Sequence, residues 1–435
     1  MTDRFGNAFA SGLPYARGEL IRATHDDYRK LEQARRVIQE RIARYGPGGV
    51  FNLSGLRRSL PSTAVAGYLL DDELAPAMVG EVVKDLGLQH LGGNADEHDV
   101  MLFNRLTAAV FAVNIAIVVR GDVVIGFSST YSHPVVTRSA RQQGAVFVDT
   151  NSVGAFDQAL SNYEKVALVV VTRLAVTYDL LDEGDIREAV QLAHEHGIPV
   201  LIDDAGGARV GPAIFGQARS LELGADLAAT GLDKYGTLGP RLGLLAGERD
   251  LVASIRATAF EYGLEARPML YPHVVDSLRA FDPGAVVESA RITRQVGESL
   301  RAIIGDSVRV DEITAQIGAE DLLSLVLERA ALPAVPVVPY EVTACTAMRL
   351  LVDYGILTVH FAGMPPGTSA LLFKFIDPDE LERFGGPDRL AEAVDDVLTK
   401  LARALGEPEE LGALLYGQDG VSTISDGREF EVERR

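Results

Sequence analysis

Two stretches of the sequence decide the fold: VLIDDAGGARV (200–210) and LAATGLDKYGTLGPRLGLLAG (227–247). The first predicts an apolar strand that ends in a carboxylate, Asp203. The second predicts another strand, which runs into Lys234 within a glycine-rich loop. In a parallel sheet both strand ends face one crevice, and ligands bind in such crevices. We therefore predict a ligand site that contains Asp203 and Lys234.

The flanking sequence alternates strands with helices. The stretch VALVVVT (166–172) is almost wholly apolar, which is typical of a strand buried on both faces. A helix is predicted over Ile186–Gly197, capped by Asp185, and Leu242–Ala246 is predicted as an extra edge strand. This alternation indicates an α/β fold with a mostly parallel sheet. The other strands predicted here are Val123–Phe127, Ala145–Asp149, Val200–Asp203 and Leu227–Thr230.

The pattern changes on either side of this region. Residues 1–50 predict an N-terminal helical arm, packed either on a partner subunit or on its own domain. Residues 51–300 predict the large domain, which ends in a long helix from Asp282-Pro283 to Ile304. Residues 301–415 predict a small α+β domain, and residues 416–435 a polar tail. The small domain is predicted to contain the strands Ser307–Asp311, Leu322–Glu328, Ile356–Phe361 and Leu371–Ile376 and the helices Thr343–Tyr354 and Asp388–Leu405.

The composition excludes several classes of protein. Of the 435 residues, 47% are hydrophobic and 23% are charged, which is typical of a globular chain and not of a disordered one. The net charge of −20 repels nucleic acid and anionic membranes, so we expect neither as a partner. The longest nearly apolar run, Leu106–Val119, is too short to span a bilayer and predicts a buried helix. We expect a cytoplasmic protein.

Metal and cysteine chemistry are not expected. The only cysteine, Cys345, lies among apolar residues and is interpreted as a core residue. A single cysteine forms neither an internal disulfide nor a cysteine-based zinc site. The run NADEHD (94–99) lacks the spacing of a metal motif and is interpreted as a solvated loop.

The pair of Asp203 and Lys234 favours one kind of chemistry. A lysine forms a Schiff base with an aldehyde cofactor, and an aspartate pairs with a protonated pyridine nitrogen. Pyridoxal phosphate needs both groups to act as an electron sink. The alternative is a plain salt bridge between a strand end and a surface lysine.

From Asn52 to Leu405 the chain resembles the fold-type-I pyridoxal-phosphate enzymes. The segments LAHEHGIPVLIDDAGG (192–207) and GLDKYGTLGPRLG (231–243) are similar to bacterial selenocysteine synthase (seryl-tRNA selenium transferase). The segments QQGAVFVDT (142–150), RLAVTYD (173–179) and PYEVTACTAMRLLVDYGILTVHF (339–361) are similar to the tyrosine phenol-lyase and tryptophanase group. The resemblance implies the fold-type-I architecture and pyridoxal 5'-phosphate as the cofactor.

The resemblance also implies roles for residues around the cofactor ring. Lys234 holds the cofactor and shuttles protons, and Ala205 lies against the ring face. Asp203 pairs with the pyridine nitrogen, with Asp204 as the alternative, because only one of two successive strand residues can reach the ring. The other implied ring contacts are Thr177 and Tyr178 at the phenolic oxygen, and His133 or Tyr131 stacked on the second face.

The cofactor phosphate needs backbone N–H groups at the N-terminus of a helix. In LFNRLTAAVFAV (102–113), Asn104, Arg105 and Thr107 begin an apolar helix at the place of the family's phosphate loop. Thr230 is a further candidate, although the family more often has this hydroxyl three positions before the lysine, where Gly231 stands.

An amino-acid substrate presents a carboxylate, which an arginine usually clamps. In the lyase group that arginine lies near the predicted strand Leu371–Ile376, where this chain has Lys374. Lysine offers a point charge and no planar fork. The other candidate clamps are Arg209, Arg241, Arg267 and Arg57, the last from a neighbouring subunit.

The resemblance implies an enzyme that acts on a small amino-acid-like substrate through a Schiff base on Lys234. The two similar branches carry out β-elimination or replacement, so we expect a lyase or an elimination-replacement enzyme. An aminotransferase is the first alternative, and a non-catalytic regulator that binds pyridoxal phosphate is the second. The site of this fold lies at a subunit boundary, so we expect a homodimer or a homotetramer.

Overall fold

The computed structural model describes residues 1–61 and 63–418. The chain divides into two compact units: a sheet unit, Leu56–Glu288, and a terminal unit, which combines Met1–Gly55 with Ser289–Arg435. The division predicted from the sequence into residues 1–50, 51–300, 301–415 and 416–435 stays a prediction, and most of its polar tail lies outside the described residues.

The helices and strands alternate along most of the chain. The helices are α1 (Thr24–Tyr45), α2 (Leu74–Leu91), α3 (Leu106–Ile117), α4 (Pro134–Gln142), α5 (Val153–Asn162), α6 (Glu183–Glu195), α7 (Gly207–Phe215), α8 (Arg249–Tyr262), α9 (Tyr271–Arg279), α10 (Pro283–Ile304), α11 (Ala319–Ala330), α12 (Pro339–Tyr354), α13 (Pro378–Phe384), α14 (Pro387–Ala404) and α15 (Pro408–Tyr416). The strands are β1 (Phe51–Asn52), β2 (His98–Phe103), β3 (Val123–Ser128), β4 (Val146–Thr150), β5 (Val166–Thr172), β6 (Val200–Asp203), β7 (Leu227–Gly231), β8 (Gly243–Glu248), β9 (Val308–Val310), β10 (Thr314–Ile317), β11 (Ile356–Leu357) and β12 (Leu371–Lys374).

A seven-stranded sheet in the order β2-β8-β7-β6-β5-β3-β4 forms the sheet unit. The strands from β7 to β4 are parallel, whereas β8 runs antiparallel to both β7 and β2. The predicted α/β class with a mostly parallel sheet is therefore confirmed. Leu242–Ala246 was expected as an edge strand, and this expectation is wrong: β2 pairs with β8 on its outer side. Strand β2 was not predicted, since its first residues fall in the run interpreted as a loop.

The parallel strands are buried on both faces, as the apolar sequence of β5 predicts. Leu168 and Val170 contact the cluster that includes α3 and α8, while Val169 and Val171 contact the cluster that includes α5 and α6. Helix α6 begins at Glu183, three residues before its expected first residue, Ile186. Asp182, not Asp185, is its N-cap, and its Oδ1 accepts a hydrogen bond from the Gly184 N–H at 2.8 Å.

The terminal unit contains an antiparallel sheet, β12-β10-β9, packed with helices α11, α12 and α14. Helix α1 packs on α12 and α15 within this unit. The carboxylate of Glu341 accepts hydrogen bonds from the N–H groups of Leu20 and Ile21 at 2.6 and 2.7 Å, so it fixes the chain just before α1. Within residues 1–61 and 63–418, no helix is both long and apolar enough to cross a membrane.

One predicted strand of this unit is wrong. Residues 322–328 belong to helix α11, because Leu322, Leu323, Val326 and Leu327 recur at helical spacing and are all buried. Acidic side chains in the first turn of α11 and Arg329 in its last turn also favour a helix. The predicted strand Ile356–Phe361 shortens to two residues, followed by a 3-10 turn.

Two phenylalanines of the sheet unit provide a matched test of this packing. Phe156 on α5 is fully buried and contacts the Phe127 ring, whereas Phe260 on α8 is 75% exposed. We expect Phe156→Ala to lower the free energy of unfolding by about 3–5 kcal/mol, since it leaves a cavity. Phe260→Ala should change it by less than about 0.5 kcal/mol. Urea unfolding of both variants checks this, and equal losses would contradict the described core.

Candidate functional site

Polar side chains follow the carboxyl ends of neighbouring parallel strands in the sheet unit. His133 follows β3, Arg173 follows β5, Asp203 ends β6 and Lys234 follows β7. The carboxyl ends of parallel strands lie at one edge of a sheet, outside which ligands bind. The first site predicted from the sequence, Asp203 with Lys234, therefore lies at this edge.

The Lys234 amine faces the carboxylate of its neighbour Asp233. Their Nζ and Oδ1 atoms are 3.3 Å apart, and the Lys234 side chain is 22% exposed. The backbone of Lys234 pairs with that of Leu56, and the Arg57 N–H donates to the Asp233 carbonyl. The loop that carries the lysine is thus held by the segment that begins the sheet unit.

Asp203 is buried and one of its oxygens, Oδ1, has no hydrogen-bond partner among the described residues. Burial and the adjacent Asp204 charge raise the pKa of Asp203 to about 7, although the Lys234 charge opposes this rise. The Lys234 ammonium is therefore close enough to act on this carboxylate, and Asp203 carries a proton for part of the time near neutral pH.

Asp204 faces a different set of groups. Its Oδ2 lies 3.0 Å from Arg173 Nη2 and accepts a hydrogen bond from the Ser220 hydroxyl at 2.6 Å. Burial raises the pKa of Asp204, and Arg173 and Ser220 oppose this rise. Asp204 is thus held through Oδ2 by Arg173 and Ser220, while Oδ1 of each of the two aspartates has no hydrogen-bond partner among the described residues.

Both residues considered as stacking partners lie on the segment after β3. The Nδ1 atom of His133 accepts a hydrogen bond from the Val135 N–H at 3.1 Å, which caps α4 and assigns the ring proton to Nε2. Burial lowers the pKa of His133 to about 4, and the Lys234 charge contributes to this. Burial raises the pKa of Tyr131, which the Asp179 charge raises further. Of these two residues, only His133 has a pKa that the Lys234 charge shifts.

The loop after β5 contributes a strained tyrosine. Tyr178 has a φ of 69°, which is unusual for a bulky residue, and its hydroxyl lies 2.8 Å from that of Tyr235. The Thr177 hydroxyl lies 3.0 Å from that of Thr130. Because Tyr235 directly follows Lys234, the two phenols connect this loop with the lysine loop.

Positive charge accumulates around Asp233. Arg58 Nε and Arg241 Nε lie 3.3 and 3.9 Å from its Oδ2. Burial, together with the charges of Arg58 and Arg105, lowers the pKa of Arg241 to about 10, against the opposing effect of Asp233. Burial would raise the pKa of Asp233, but Lys234, Arg58 and Arg241 outweigh it and hold the pKa at about 2. We call Arg58, Arg105, Arg241 and Lys234 the basic cluster.

Two predicted residues make contacts inside the protein. The Thr230 hydroxyl donates to the Ala205 carbonyl at 3.1 Å and accepts from Arg209 Nη1 at the same distance. Arg209 is buried and also donates to the Gly231 carbonyl at 3.0 Å. Arg209 therefore supports the end of β7, and Thr230 joins it to the chain after Asp203.

The N-terminus of α3 has no side-chain cap. Its N-cap is Arg105, which makes no capping hydrogen bond, and Asn104 donates instead to the Gly263 carbonyl at 3.3 Å. Asn104, Arg105 and Thr107 are all exposed. This arrangement leaves the helix end without a protein side chain on its first N–H groups.

Three predicted substrate residues remain. Arg267 is exposed and paired with Asp72. Arg57 is exposed and its backbone N–H donates to the Asp233 carbonyl, while the guanidinium of its neighbour Arg58 contacts the Asp233 carboxylate. Lys374 is buried on β12 of the terminal unit. Their roles, and the homodimer or homotetramer, stay predictions. Among the described residues no group of three His, Cys, Asp or Glu side chains could hold a metal ion.

The sequence did not identify Arg58, Arg173, Ser220 or Tyr235. Arg173 follows β5 directly, so the same strand-end rule that found Asp203 could have found it. Arg58 and Ser220 are far along the chain from their partners, and no local pattern marks them.

No family model matches this sequence. The chain is 29% identical to a protein named UPF0425 pyridoxal phosphate-dependent protein from Methanothermobacter thermautotrophicus, over 90% of this chain and 98% of that relative. A protein of the same name from Methanosphaera stadtmanae is 27% identical, over 87% of this chain and 95% of the relative.

Solved structures share the fold at low sequence identity. The alanine–glyoxylate aminotransferase of Nostoc sp. aligns with a TM-score of 0.57 at 15% identity, over 80% of this chain and 94% of that one. The pyridoxamine-pyruvate aminotransferase of Mesorhizobium loti aligns with a TM-score of 0.55 at 14% identity, over 86% and 96%. The predicted resemblance to fold-type-I pyridoxal-phosphate enzymes is therefore confirmed.

The site residues fit that cofactor. Asp203 offers a buried carboxylate oxygen that lacks a hydrogen-bond partner among the described residues, as a protonated ring nitrogen requires. Lys234 offers an amine at the same sheet edge, and the basic cluster offers positive charge for a phosphate.

The raised pKa of Asp203 predicts a pH-dependent stability for the cofactor-free protein. An aspartate in the unfolded chain titrates near 3.8, whereas folded Asp203 titrates at about 7, so between these values the folded state binds the extra proton. Stability should therefore fall as the pH rises from about 4 to 7. The Asp203→Asn variant lacks the titrating carboxyl group and therefore this pH dependence. Urea unfolding between pH 4 and 7 should show that the free energy of unfolding of the wild type falls by on the order of a few kcal/mol relative to that of the variant. If the two free energies changed with pH in parallel, the raised pKa of Asp203 would be refuted.

Proposed function

We propose that this protein is a pyridoxal-phosphate-dependent enzyme that acts on the amino group of a small amino-acid-like substrate. One observation carries the proposal: Asp203, buried with an open carboxylate oxygen, lies at the same sheet edge as Lys234 and responds to its charge. The names of the relatives that align over most of the chain support it. The alternative, a plain strand-end salt bridge, does not account for Asp203, because the partner of Lys234 is Asp233.

When bound, pyridoxal phosphate supplies an electron sink for the charge left on the substrate's α-carbon. Three residues of the site have separate roles. Lys234 holds the cofactor and moves a proton at Nζ. Asp203 holds the proton at the ring nitrogen, and His133, neutral at working pH, offers a flat apolar face. Asp203 is buried, and this low-dielectric position strengthens its electrostatic contact with a cationic ring.

The basic cluster is the proposed place for an anionic group of the ligand. Two guanidinium groups, of Arg58 and Arg241, and the Lys234 ammonium face the single carboxylate of Asp233, and the charge of Arg105 acts on both arginines, so this region carries an excess of positive charge. Arg105 lies at the N-terminus of α3, which has no side-chain cap. The backbone N–H groups of this helix end would also bind an anionic group. A phosphate dianion balances such an excess better than a single carboxylate does.

Of the reaction classes considered, we propose transamination. The two solved structures compared above are aminotransferases by name, which favours the first alternative over the lyase expected from the sequence. An aminotransferase exchanges an amino group between an amino acid and a keto acid, whereas an elimination releases a keto acid and ammonia. A regulator would do neither.

The cofactor and reaction are tested together on purified protein. Added pyridoxal phosphate should give a visible absorption band, and borohydride should fix its mass on Lys234. Lys234→Ala should abolish both the fixation and turnover, while Lys165→Ala, which changes an exposed lysine of the same unit, should preserve them. Amino groups should pass between a panel of amino acids and keto acids. Absence of a visible band in the wild type would refute the proposal, and release of ammonia would establish a lyase.

The anion site is tested by comparing two ligands. Arg241→Gln should weaken the binding of pyridoxal phosphate by about 10- to 100-fold, the usual effect of losing a charge-assisted hydrogen bond. The binding of pyridoxal, which has no phosphate, should change little. Arg249→Gln is the control, because that exposed guanidinium bonds to the Ala95 and Asp96 carbonyls. If Arg241→Gln left the affinity for pyridoxal phosphate unchanged but raised the KM for the amino-acid substrate, the basic cluster would bind an anionic group of the substrate. If neither changed, the cluster would not be an anion site.

A further inference from the structure

A buried ion pair lies directly beside Asp203. Arg173 and Asp204 both have no exposed side-chain surface, and Arg173 Nη2 lies 3.0 Å from Asp204 Oδ2. Arg173 follows the last residue of β5, and Asp204 follows the last residue of β6. The pair therefore joins the carboxyl ends of two neighbouring parallel strands.

The surroundings of this pair are adapted to it. The Ser220 hydroxyl donates to Asp204 Oδ2 at 2.6 Å, and Arg173 Nη1 donates to the Ala218 carbonyl at 2.9 Å. Two glycines one turn apart on α7 provide the space. A Cβ on Gly207 would lie 2.2 Å from Asp204 Oδ1, and one on Gly211 would lie 2.6 Å from Arg173 Nη1.

Such a pair contributes little stability by itself. Removing two charges from water costs several kcal/mol per ion, and the attraction between them often no more than offsets this. Hydrophobic residues of the same volume would hold the two strand ends as well. The position of the negative charge, one residue from Asp203, suggests a function for the pair.

Two charged groups act on Asp203, and they act in opposite directions. Asp204 disfavours the ionised form of Asp203, because two like charges would then be carried by consecutive residues that are both buried. Lys234, beyond the end of β7, favours the ionised form. Arg173 and Arg209 act on Asp204 and thereby keep its charge in place.

We propose that Asp204 is a positioning residue, held by Arg173 and Ser220, whose charge makes Asp203 bind its proton more tightly. The inference rests on the proposed function, in which Asp203 faces the ring nitrogen of pyridoxal phosphate. A carboxyl group whose proton affinity is close to that of a pyridine nitrogen shares one proton with it. An isolated aspartate binds its proton too weakly to do so equally.

The test measures Asp203 itself in cofactor-free protein. The carboxyl carbons of aspartate are labelled with carbon-13, the Asp203 signal is assigned by its loss in Asp203→Asn, and its midpoint is followed by NMR as the pH changes. Asp204→Asn should lower the midpoint by about one pH unit or more, which is a tenfold weaker proton affinity. Asp27→Asn is the matched control. Asp27 is also fully buried and paired with an arginine, Arg17, at 2.7 Å, but it is not among the charges that act on Asp203.

The double variant Arg173→Met/Asp204→Asn removes both charges and keeps the volume, in case Asp204→Asn alone leaves Arg173 unpaired and does not fold. Its midpoint should shift in the same direction by a smaller amount. A midpoint that stays unchanged or rises in the folded variants would overturn the inference. The titration needs no cofactor, so a wild type that binds no pyridoxal phosphate would overturn the proposed function and leave the titration result to decide this inference alone.

Discussion

The burial of the Asp203 carboxyl is the constraint around which the sheet unit is arranged. A carboxylate with an open oxygen in a buried place costs stability unless it is protonated or receives a partner. The protein tolerates this cost at the edge of a sheet whose central strands are buried on both faces. The apolar layers supply the stability, and the hydrogen bonds of Thr230 and Arg209 support the end of β7 beside Asp203.

Charge around the two strand ends is divided unequally. On one side, beyond β7, the single carboxylate of Asp233 contacts three cationic side chains, so positive charge exceeds negative charge there. These side chains are Lys234, Arg58 and Arg241. On the other side, Arg173 is matched by Asp204, and Asp203 remains. A ligand with a cationic ring and an anionic arm would complement both sides at once, which is the charge pattern of a protonated pyridine that carries a phosphate.

The sequence predicted those parts of the fold that depend on local patterns. The apolar run of β5 and the strands β6 and β7 follow from composition alone, and the edge that holds Asp203 and Lys234 follows from parallel topology. The prediction of α11 as a strand is wrong, because its apolar residues recur at helical spacing and not in the alternating pattern of a strand. Arg58 was missed because its partner lies far along the chain, Ser220 because no local pattern marks it, and strand β2 because its first residues fall in a run interpreted as a loop.

The choice between the two consecutive aspartates depends on register. Asp203 lies opposite Ala229 in the parallel pairing of β6 with β7, and the Asp204 N–H donates to the Ala229 carbonyl at 2.8 Å. Successive residues at a strand end point to opposite sides. A shift of one residue would place Asp204 toward Lys234 and Asp203 toward Arg173. Neither aspartate is therefore special as a residue type. The hydrogen bonds between β6 and β7 decide which of the two pairs with Arg173 and Ser220 and which lies within reach of the Lys234 charge.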